Sequence, residues 1–284
     1  MKTITLILLS FSLNLVACRE VQDTDDTSCN GFDELCSKQV DQVLFPATHN
    51  SMSSAEDEWL IPNQNFNIKS QLEDGIRGLN LDTHQWNNEV YLCHTLCDFG
   101  NMKLVDGFSL IEEFLIENPR NVIMITFQAG ISAEDTLTAF EEANLSQRLY
   151  HHELGTEWQT LESLIEQERQ VIAFSSNGGG IIDGYHEQWT HWIDNPYSAV
   201  SINDFSCGVE RGDPATATLF NVNHFITAPL ASENNSRTAN QYDILYSHII
   251  ECWEETGRFP NQVLVDFYDQ GLLLDIANEI NLRE

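Results

Sequence analysis

Short apolar runs alternate with amphipathic, helix-like segments along most of the chain. The apolar runs have the length and β-branched content typical of strands, and they cover residues 43–45, 75–82, 90–94, 122–127, 171–174, 218–222 and 263–267. The helical patterns cover residues 109–117, where Ser109 begins the helix and Asn118-Pro119 ends it, then 133–143, 158–168, 240–255 and 271–281. This alternation predicts a parallel sheet with helices outside it, either doubly wound or closed into a barrel.

Polar side chains that ionise or coordinate come at the ends of several of these apolar runs. They are His49, Asp82, His94, Gln128 and Asp266. In (β/α) barrels the active site is built from the carboxyl ends of different strands. These endings therefore favour the barrel over the doubly wound sheet, and they indicate one shared site.

The chain is strongly acidic. Its 284 residues contain 13 Lys and Arg against 44 Asp and Glu, which gives a formal net charge of −31. This excludes nucleic acid as a partner, because such binding depends on basic residues that neutralise phosphates. The same field disfavours an anionic bilayer and is compatible with a divalent cation or with a solvated acidic surface. The length and the apolar fraction of 42% predict a single domain.

The N-terminus has the pattern of an export signal. Met1-Lys2 precedes an apolar run over residues 4–15, which is too short to span a bilayer as a helix. The run ends in residues 15–18 (LVAC), which resemble the lipobox of bacterial lipoproteins and predict a lipidated Cys18 that anchors the protein to a membrane. An ordinary cleavage site near Ala17 is the alternative, and both predict an outer-membrane, surface or secreted protein. We expect a signal peptide over residues 1–18, a tether and N-terminal segment over 19–38, and the barrel over 39–284.

Six cysteines remain after Cys18, and an even number in an oxidising compartment suggests disulfides. Six cysteines allow fifteen pairings. Cys29 and Cys36 form one close pair in the sequence and Cys93 and Cys97 another, so the third expected bond joins Cys207 to Cys252. A zinc site is a weaker interpretation, because the chain has no CxxC doublet.

His49 and His94 are the candidates for acid–base chemistry. Two imidazoles that meet at strand ends can divide the work, one accepting a proton and the other donating one. Attack on a phosphodiester by a neighbouring hydroxyl of the substrate needs this division and no enzyme nucleophile, and no GxSxG elbow is present. Asn50, Asn80 and Asp82 offer oxygen atoms of the kind that Ca²⁺ accepts, and a cation would offset charge on the phosphoryl oxygens.

Three motifs occur in order in the first third of the chain: residues 48–51 (THNS), 71–82 (QLEDGIRGLNLD) and 92–94 (LCH). With later segments at 118–127, 171–175 and 259–268, they resemble the X region of phosphatidylinositol-specific phospholipase C. The variant that is most similar is the secreted phospholipase-C-like phosphodiesterase group of plants, fungi and bacteria. The resemblance covers roughly residues 40–282. It implies a distorted, incomplete TIM-like (β/α) barrel that cleaves inositol phospholipid to diacylglycerol and inositol phosphate, often through a cyclic phosphate.

The resemblance also implies a role for each motif residue. His49 matches the general base for the inositol 2-hydroxyl, and His94 matches the general acid for the leaving glycerol oxygen. Asp266 resembles a carboxylate that orients the first histidine. Asp82 and Asn50 match positions that bind calcium in the metal-dependent members.

Two positions depart from the family pattern. Asn80 and Gln128 stand where calcium-dependent members have Glu, and losing two carboxylates weakens the expected Ca²⁺ site because affinity follows ligand charge. Arg77, Lys103 and Gln128 are the candidates for substrate contact. The expected partner is a phospholipid or a soluble inositol phosphodiester, and the expected assembly state is a monomer.

Two other functions stay open at this point. Glycerophosphodiester phosphodiesterases share the barrel, but they open with His-Arg-Gly and carry a Glu-x-Asp pair. This chain has residues 49–51 (HNS) and 80–82 (NLD) instead, so the match is poorer. A non-catalytic surface lipoprotein on a degenerate barrel is the other alternative, because fold likeness alone does not establish activity. Turnover by the wild type and by His49→Ala separates it from the enzymes.

Overall fold

The structure is a computed structural model and describes residues 27–226 and 230–283. Its strands are β1 (Phe45–Thr48), β2 (Gly78–Trp86), β3 (Glu89–Leu92), β4 (Met102–Lys103), β5 (Ile123–Ala129), β6 (Val171–Ser175), β7 (Tyr185–Glu187), β8 (Trp192–Asp194), β9 (Leu219–Asn223) and β10 (Pro260–Val265). The α-helices in these ranges are α1 (Asp33–Cys36), α2 (Ile68–Asp74), α3 (Leu104–Glu117), α4 (Ala133–Glu142), α5 (Leu161–Glu166), α6 (Gln188–His191), α7 (Glu233–Ala239), α8 (Tyr242–Thr256) and α9 (Leu273–Asn281).

Parallel pairing runs through the strand order β7-β6-β5-β2-β1-β10-β9-β8. Within the described ranges β7 and β8 are not paired with each other, so the barrel is open between them. An antiparallel extension of β3 and β4 continues from β2. The predicted distorted, incomplete TIM-like barrel is confirmed.

Alternation along the strands separates the core from the site. On β2, Leu79 and Leu81 pack in the larger apolar cluster together with residues of the surrounding helices, such as Phe108 and Ile276. Successive side chains of a strand point to opposite faces, so Asn80 and its neighbours at even positions point into the barrel. The base of the barrel is filled by a second apolar cluster, and the polar residues lie above it at the carboxyl ends of the strands.

Two predicted helices have different bounds in the structure. Helix α3 begins at Leu104, earlier than the predicted start at Ser109, whose hydroxyl lies inside the helix and donates to the carbonyl of Val105 at 2.8 Å. Ser109 was therefore wrong as a cap, because its hydroxyl is satisfied by the preceding turn. The pattern at 158–168 forms only α5, which Thr160 caps by accepting from the backbone of Ser163.

The N-terminal segment is tied to the base of the barrel. Cys29 and Leu35 are buried in the second apolar cluster. The predicted disulfides are confirmed: they join Cys29 to Cys36, Cys93 to Cys97 and Cys207 to Cys252. The signal sequence and Cys18 lie outside the described residues. Within the described ranges, no helix is both long and apolar enough to cross a membrane.

Candidate functional site

His49 follows β1 directly and forms a dyad with Asp266, which follows β10. Its Nδ1 lies 2.9 Å from Oδ1 of Asp266, whose side chain is buried. The side-chain amide of Asn63 donates to the same oxygen at 2.9 Å. The ring of Phe225 stacks on the imidazole at 3.8 Å with an interplanar angle of 8°. Pairing of β1 with β10 places the two residues side by side, and the carboxylate and the phenyl ring together fix the orientation of the imidazole.

The contacts of His49 define its proton positions. Because Asp266 accepts at Nδ1, we assign the ring proton to that nitrogen. Nε2 then carries the lone pair, and it accepts from the side-chain amide of Asn50 at 3.2 Å. Asn50 has a left-handed backbone with φ of 48°, which lets the chain turn sharply after the strand. This arrangement leaves Nε2 as the basic atom of the dyad.

Asp82 lies on β2 and is 4% exposed. Its Oδ1 has no hydrogen-bond partner among the described residues. Burial raises the pKa of Asp82 to about 6, against a smaller opposing effect of His49. The carboxyl group is therefore close enough to His49 to interact electrostatically with it, and it changes charge near neutral pH.

His94 follows β3, which is the antiparallel neighbour of β2. Burial lowers the pKa of His94, repulsion by His49 and His84 lowers it further, and Asp266 acts in the opposite direction. The second imidazole thus lies within electrostatic range of the dyad. The backbone around it is held by the Cys93–Cys97 disulfide and by a hydrogen bond of 2.7 Å from Leu96 N to the carbonyl of His94. The structure brings both predicted histidines and both predicted aspartates together.

A polar pocket of 290 Å³ opens beside His49. Asn80, Thr126 and Gln128 line one side of it, and residues of the other half of the barrel line the rest. On that second side are Asp194, Tyr197, Arg211, Asn221, Asn223 and Trp189. Such a lining offers many donors and acceptors and is suited to a ligand rich in hydroxyl groups.

Arg211 is the single Lys or Arg in the lining of this pocket as the described chain forms it. Its guanidinium donates to Asp194 through Nε at 3.0 Å and also through Nη2. The same group lies 4.1 Å from the ring centre of Tyr197 and 4.5 Å from that of Trp189. Burial raises the pKa of Asp194, although the contact with Arg211 opposes this shift. The pair is held as a rigid unit by the two aromatic rings.

The two basic residues predicted to contact substrate lie elsewhere. Arg77 precedes β2, at the opposite end of the barrel, and donates to the carbonyls of Leu72 and Ile76 and to Asn121. Burial lowers its pKa to about 10. Lys103 pairs with Glu89 at 2.7 Å on the exposed β3–β4 extension. Both predictions were wrong, because Arg77 donates to residues at the opposite end of the barrel and Lys103 pairs with a carboxylate outside the pocket lining.

The residues predicted to hold calcium fit that ion poorly. Ca²⁺ takes about six to eight oxygen ligands, and only the Asp82 carboxylate is charged in the predicted set of Asn50, Asn80 and Asp82. Both amides already have partners: Asn80 accepts from the backbone of Asn50 and donates toward Thr126, and the side chain of Asn50 contacts His49. Ca²⁺ dependence remains a prediction, and no step proposed below uses a metal.

The sequence did not reveal Asp194 and Arg211 as site residues. Asp194 ends β8, which has only three residues and is too short to show a periodic pattern. Arg211 lies in the connection between β8 and β9. A partial signal was the scarcity of basic residues, because each of the 13 Lys and Arg was a candidate for the missing positive charge.

Comparisons with known proteins agree with this geometry. A protein of Arthroderma benhamiae described as an uncharacterized secreted protein is 24% identical over 293 residues. A PI-PLC X domain-containing protein of Arabidopsis thaliana is 25% identical over 294 residues. Each match covers 93% of this chain and 66% of the relative, so the chain spans just under two thirds of either length.

The fold matches a solved phospholipase. A phosphatidylinositol-specific phospholipase C of Staphylococcus aureus superposes with a TM-score of 0.59 at 13% identity, covering 88% of this chain and 95% of that one. The model of the PI-PLC X domain family matches residues 35–281. The chain therefore belongs to the PI-PLC X domain family.

Proposed function

We propose that the protein is a phosphodiesterase that cleaves a phosphoinositide-type phosphodiester by attack of a substrate hydroxyl, giving a cyclic phosphate. The observation that carries the proposal is the His49–Asp266 dyad with His94 in electrostatic range, at the mouth of a polar pocket. Membership of the PI-PLC X domain family supports the reaction class.

The first step is removal of a proton from the attacking hydroxyl by Nε2 of His49. The hydroxyl takes the place of the Asn50 amide at this nitrogen, whose lone pair is free because Nδ1 donates to Asp266. The oxygen attacks phosphorus and forms the new P–O bond. Asp266 stabilises the resulting imidazolium, since a buried carboxylate favours the charged form of its partner.

The second step is departure of the leaving oxygen, which takes a proton from His94 as the P–O bond breaks. A lowered pKa makes His94 a stronger acid but reduces the fraction that is protonated at neutral pH. The sign of the pH dependence follows: activity falls as the pH rises through this lowered pKa, so the alkaline limb lies below about 6.5, the ordinary value for histidine.

The other half of the pocket is assigned to the headgroup. The Arg211–Asp194 pair presents donors and an acceptor side by side, and Asn221 and Asn223 add amides. A polyol such as inositol satisfies these groups through its hydroxyls. Arg211 also supplies the positive charge that the phosphoryl oxygens require.

We also propose export and lipid anchoring at Cys18, as the N-terminal pattern predicts. The secreted relative of Arthroderma benhamiae supports export alone. Metabolic labelling with a fatty-acid analogue tests the anchor: the label enters the wild type and is absent from Cys18→Ser. Equal labelling of both proteins contradicts the anchor.

Product analysis by ³¹P NMR tests the reaction. Phosphatidylinositol, glycerophosphoinositol and a lysophospholipid without inositol are each incubated with the enzyme, with Ca²⁺ or with chelator. We expect a five-membered cyclic inositol phosphate from the first or second substrate and no turnover of the third. Hydrolysis of the third substrate indicates a general glycerophosphodiesterase, and no turnover of any substrate indicates a non-catalytic barrel. Each result contradicts the proposal.

A further inference from the structure

A second group of histidines lies at the open seam between β7 and β8. His186 is on β7, His191 ends α6, and His151 and His152 lie in the connection before β6. We call these four the seam histidines. They line a cavity of 500 Å³. Among the described residues, this cavity has no lining residue in common with the pocket at His49. The reaction proposed above uses none of them.

The seam histidines are packed against one another. Ring centres are 5.2 Å apart for His186 and His191, 5.7 Å for His152 and His191, and 5.9 Å for His151 and His186. Two imidazoles bound to one tetrahedral zinc ion through bonds of about 2 Å have ring centres about 5 Å apart. The spacing of His152 and His191 is therefore of the size that a shared ion requires.

Two of these rings have a buried nitrogen without a partner. His152 is 4% exposed and His191 is 6% exposed, and the Nδ1 atom of each has no hydrogen-bond partner among the residues that the structure describes. A buried polar atom that is left without a hydrogen bond is unfavourable. Two such atoms around one cavity indicate a ligand that accepts lone pairs from imidazole.

The other two rings are already oriented. His186 contacts the carbonyl of Ala173 through Nδ1 at 2.9 Å and accepts from the backbone of His152 through Nε2 at 2.9 Å. His151 pairs through Nδ1 with Asp183 at 2.6 Å, the carboxylate–histidine pairing that fixes the tautomer of metal ligands. Its Nε2 then carries the lone pair. Both ring nitrogens of His186 have partners, so this residue only lines the cavity. His151, His152 and His191 remain as candidate ligands.

We propose that the seam cavity binds a divalent transition-metal ion, zinc or copper, through His151, His152 and His191. Imidazole suits these ions, and three histidines are a known ligand set for zinc. Asp183, Glu153 and Glu187 also line the cavity and favour a cation there.

Binding requires a small rearrangement. Within the described residues no three seam nitrogens lie within 4.8 Å of one another. The side chains of His151 and Asp183 are 57% and 86% exposed, so the pair has room to turn together toward the other two rings. The ion would link the connection before β6 to α6 and so bridge the seam that backbone pairing leaves open.

Calorimetric titration with Zn²⁺ on the metal-free full chain tests the site. We expect one equivalent to bind to the wild type, and His152→Gln and His191→Gln to weaken that binding at least about tenfold. His94→Gln is the matched control, because it removes an imidazole from the other pocket and should leave this equivalent unchanged. Circular dichroism establishes that each variant is folded.

A second measurement follows a single residue. The ring of Trp158 stacks on that of His152 at 3.5 Å, so paramagnetic Cu²⁺ at the seam quenches its fluorescence. We expect Trp158→Phe to reduce the quenched component, and Trp192, which follows His191 in the chain, to account for the rest. The proposal is overturned if the wild type binds no Zn²⁺ at concentrations up to about 100 µM. It is also overturned if folded His191→Gln binds like the wild type, or if only His94→Gln loses the metal.

Discussion

Two histidine groups of this barrel, at the pocket and at the seam, contain the same side chain in opposite surroundings. At the pocket, both nitrogens of His49 have partners, and the ring is held by Asp266 and Phe225 beside open solvent. At the seam, His152 and His191 are more deeply buried, and each has a nitrogen without a partner in the described part of the chain. A buried carboxylate and access to substrate make an imidazole a proton carrier. Burial without such a partner favours a neutral imidazole and hence a metal ligand.

Removal of the base should produce the largest difference between the two regions. We expect His49→Ala to lower kcat/KM by about 10³-fold, within the range for loss of one acid–base group. The seam variant His191→Gln is expected to keep its turnover within about threefold of the wild type, since the two cavities share no lining residue among those described. Initial rates on phosphatidylinositol measure both. Comparable losses in the two variants would break the distinction.

Arg211 tests the headgroup half of the pocket. Lysine keeps the charge but loses the planar fork that donates to Asp194 through two nitrogens. We expect Arg211→Lys to lower kcat/KM by about 10- to 100-fold, mostly through KM. Arg237→Lys, at an exposed helix position, is the matched control. Equal kinetics for the two variants would remove Arg211 from the site.

The seam should contribute to the acid sensitivity of the fold. Burial lowers the pKa of His186 to about 4, while the unfolded value is about 6.5. Between these values the unfolded chain binds a proton that the native chain does not, so stability falls as the pH falls, by up to about 1.4 kcal/mol per pH unit for one histidine.

His186→Gln keeps a donor and an acceptor but does not titrate. We expect its unfolding free energy to fall less steeply from pH 6.5 to 4 than that of the wild type, by roughly one proton's contribution. Urea melts with chelator present provide the measurement. Identical slopes for the two proteins would show that His186 is not a neutral buried group in the native state.

The polar residues at the ends of apolar runs predicted one half of the pocket but not the other half. His49, Asp82 and Asp266 each follow or lie in an apolar run long enough to identify, and the runs themselves form paired parallel strands. The pattern could not show that the strand before His94 is antiparallel, because side chains alternate with period two in both arrangements.

The missed half depends on tertiary contacts. Asp194 ends a strand of three residues, and Arg211 reaches it from 17 positions along the chain. The seam histidines were not predicted as a group for the same reason, because separation in the sequence does not show which residues pack together across an open barrel. Arg77 was predicted to contact substrate because it lies within a motif in the sequence. In the structure it precedes β2 and therefore lies at the end of that strand away from the site.

Leaving-group dependence tests the division of labour between His49 and His94 most directly. Two soluble inositol phosphodiesters are compared, one with a glycerol leaving group and one with nitrophenol, which departs without protonation. We expect His94→Ala to lose about 10³-fold on the first substrate and less than about tenfold on the second, and His49→Ala to lose about 10³-fold on both. Equal losses of His94→Ala on the two substrates would contradict its role as the general acid.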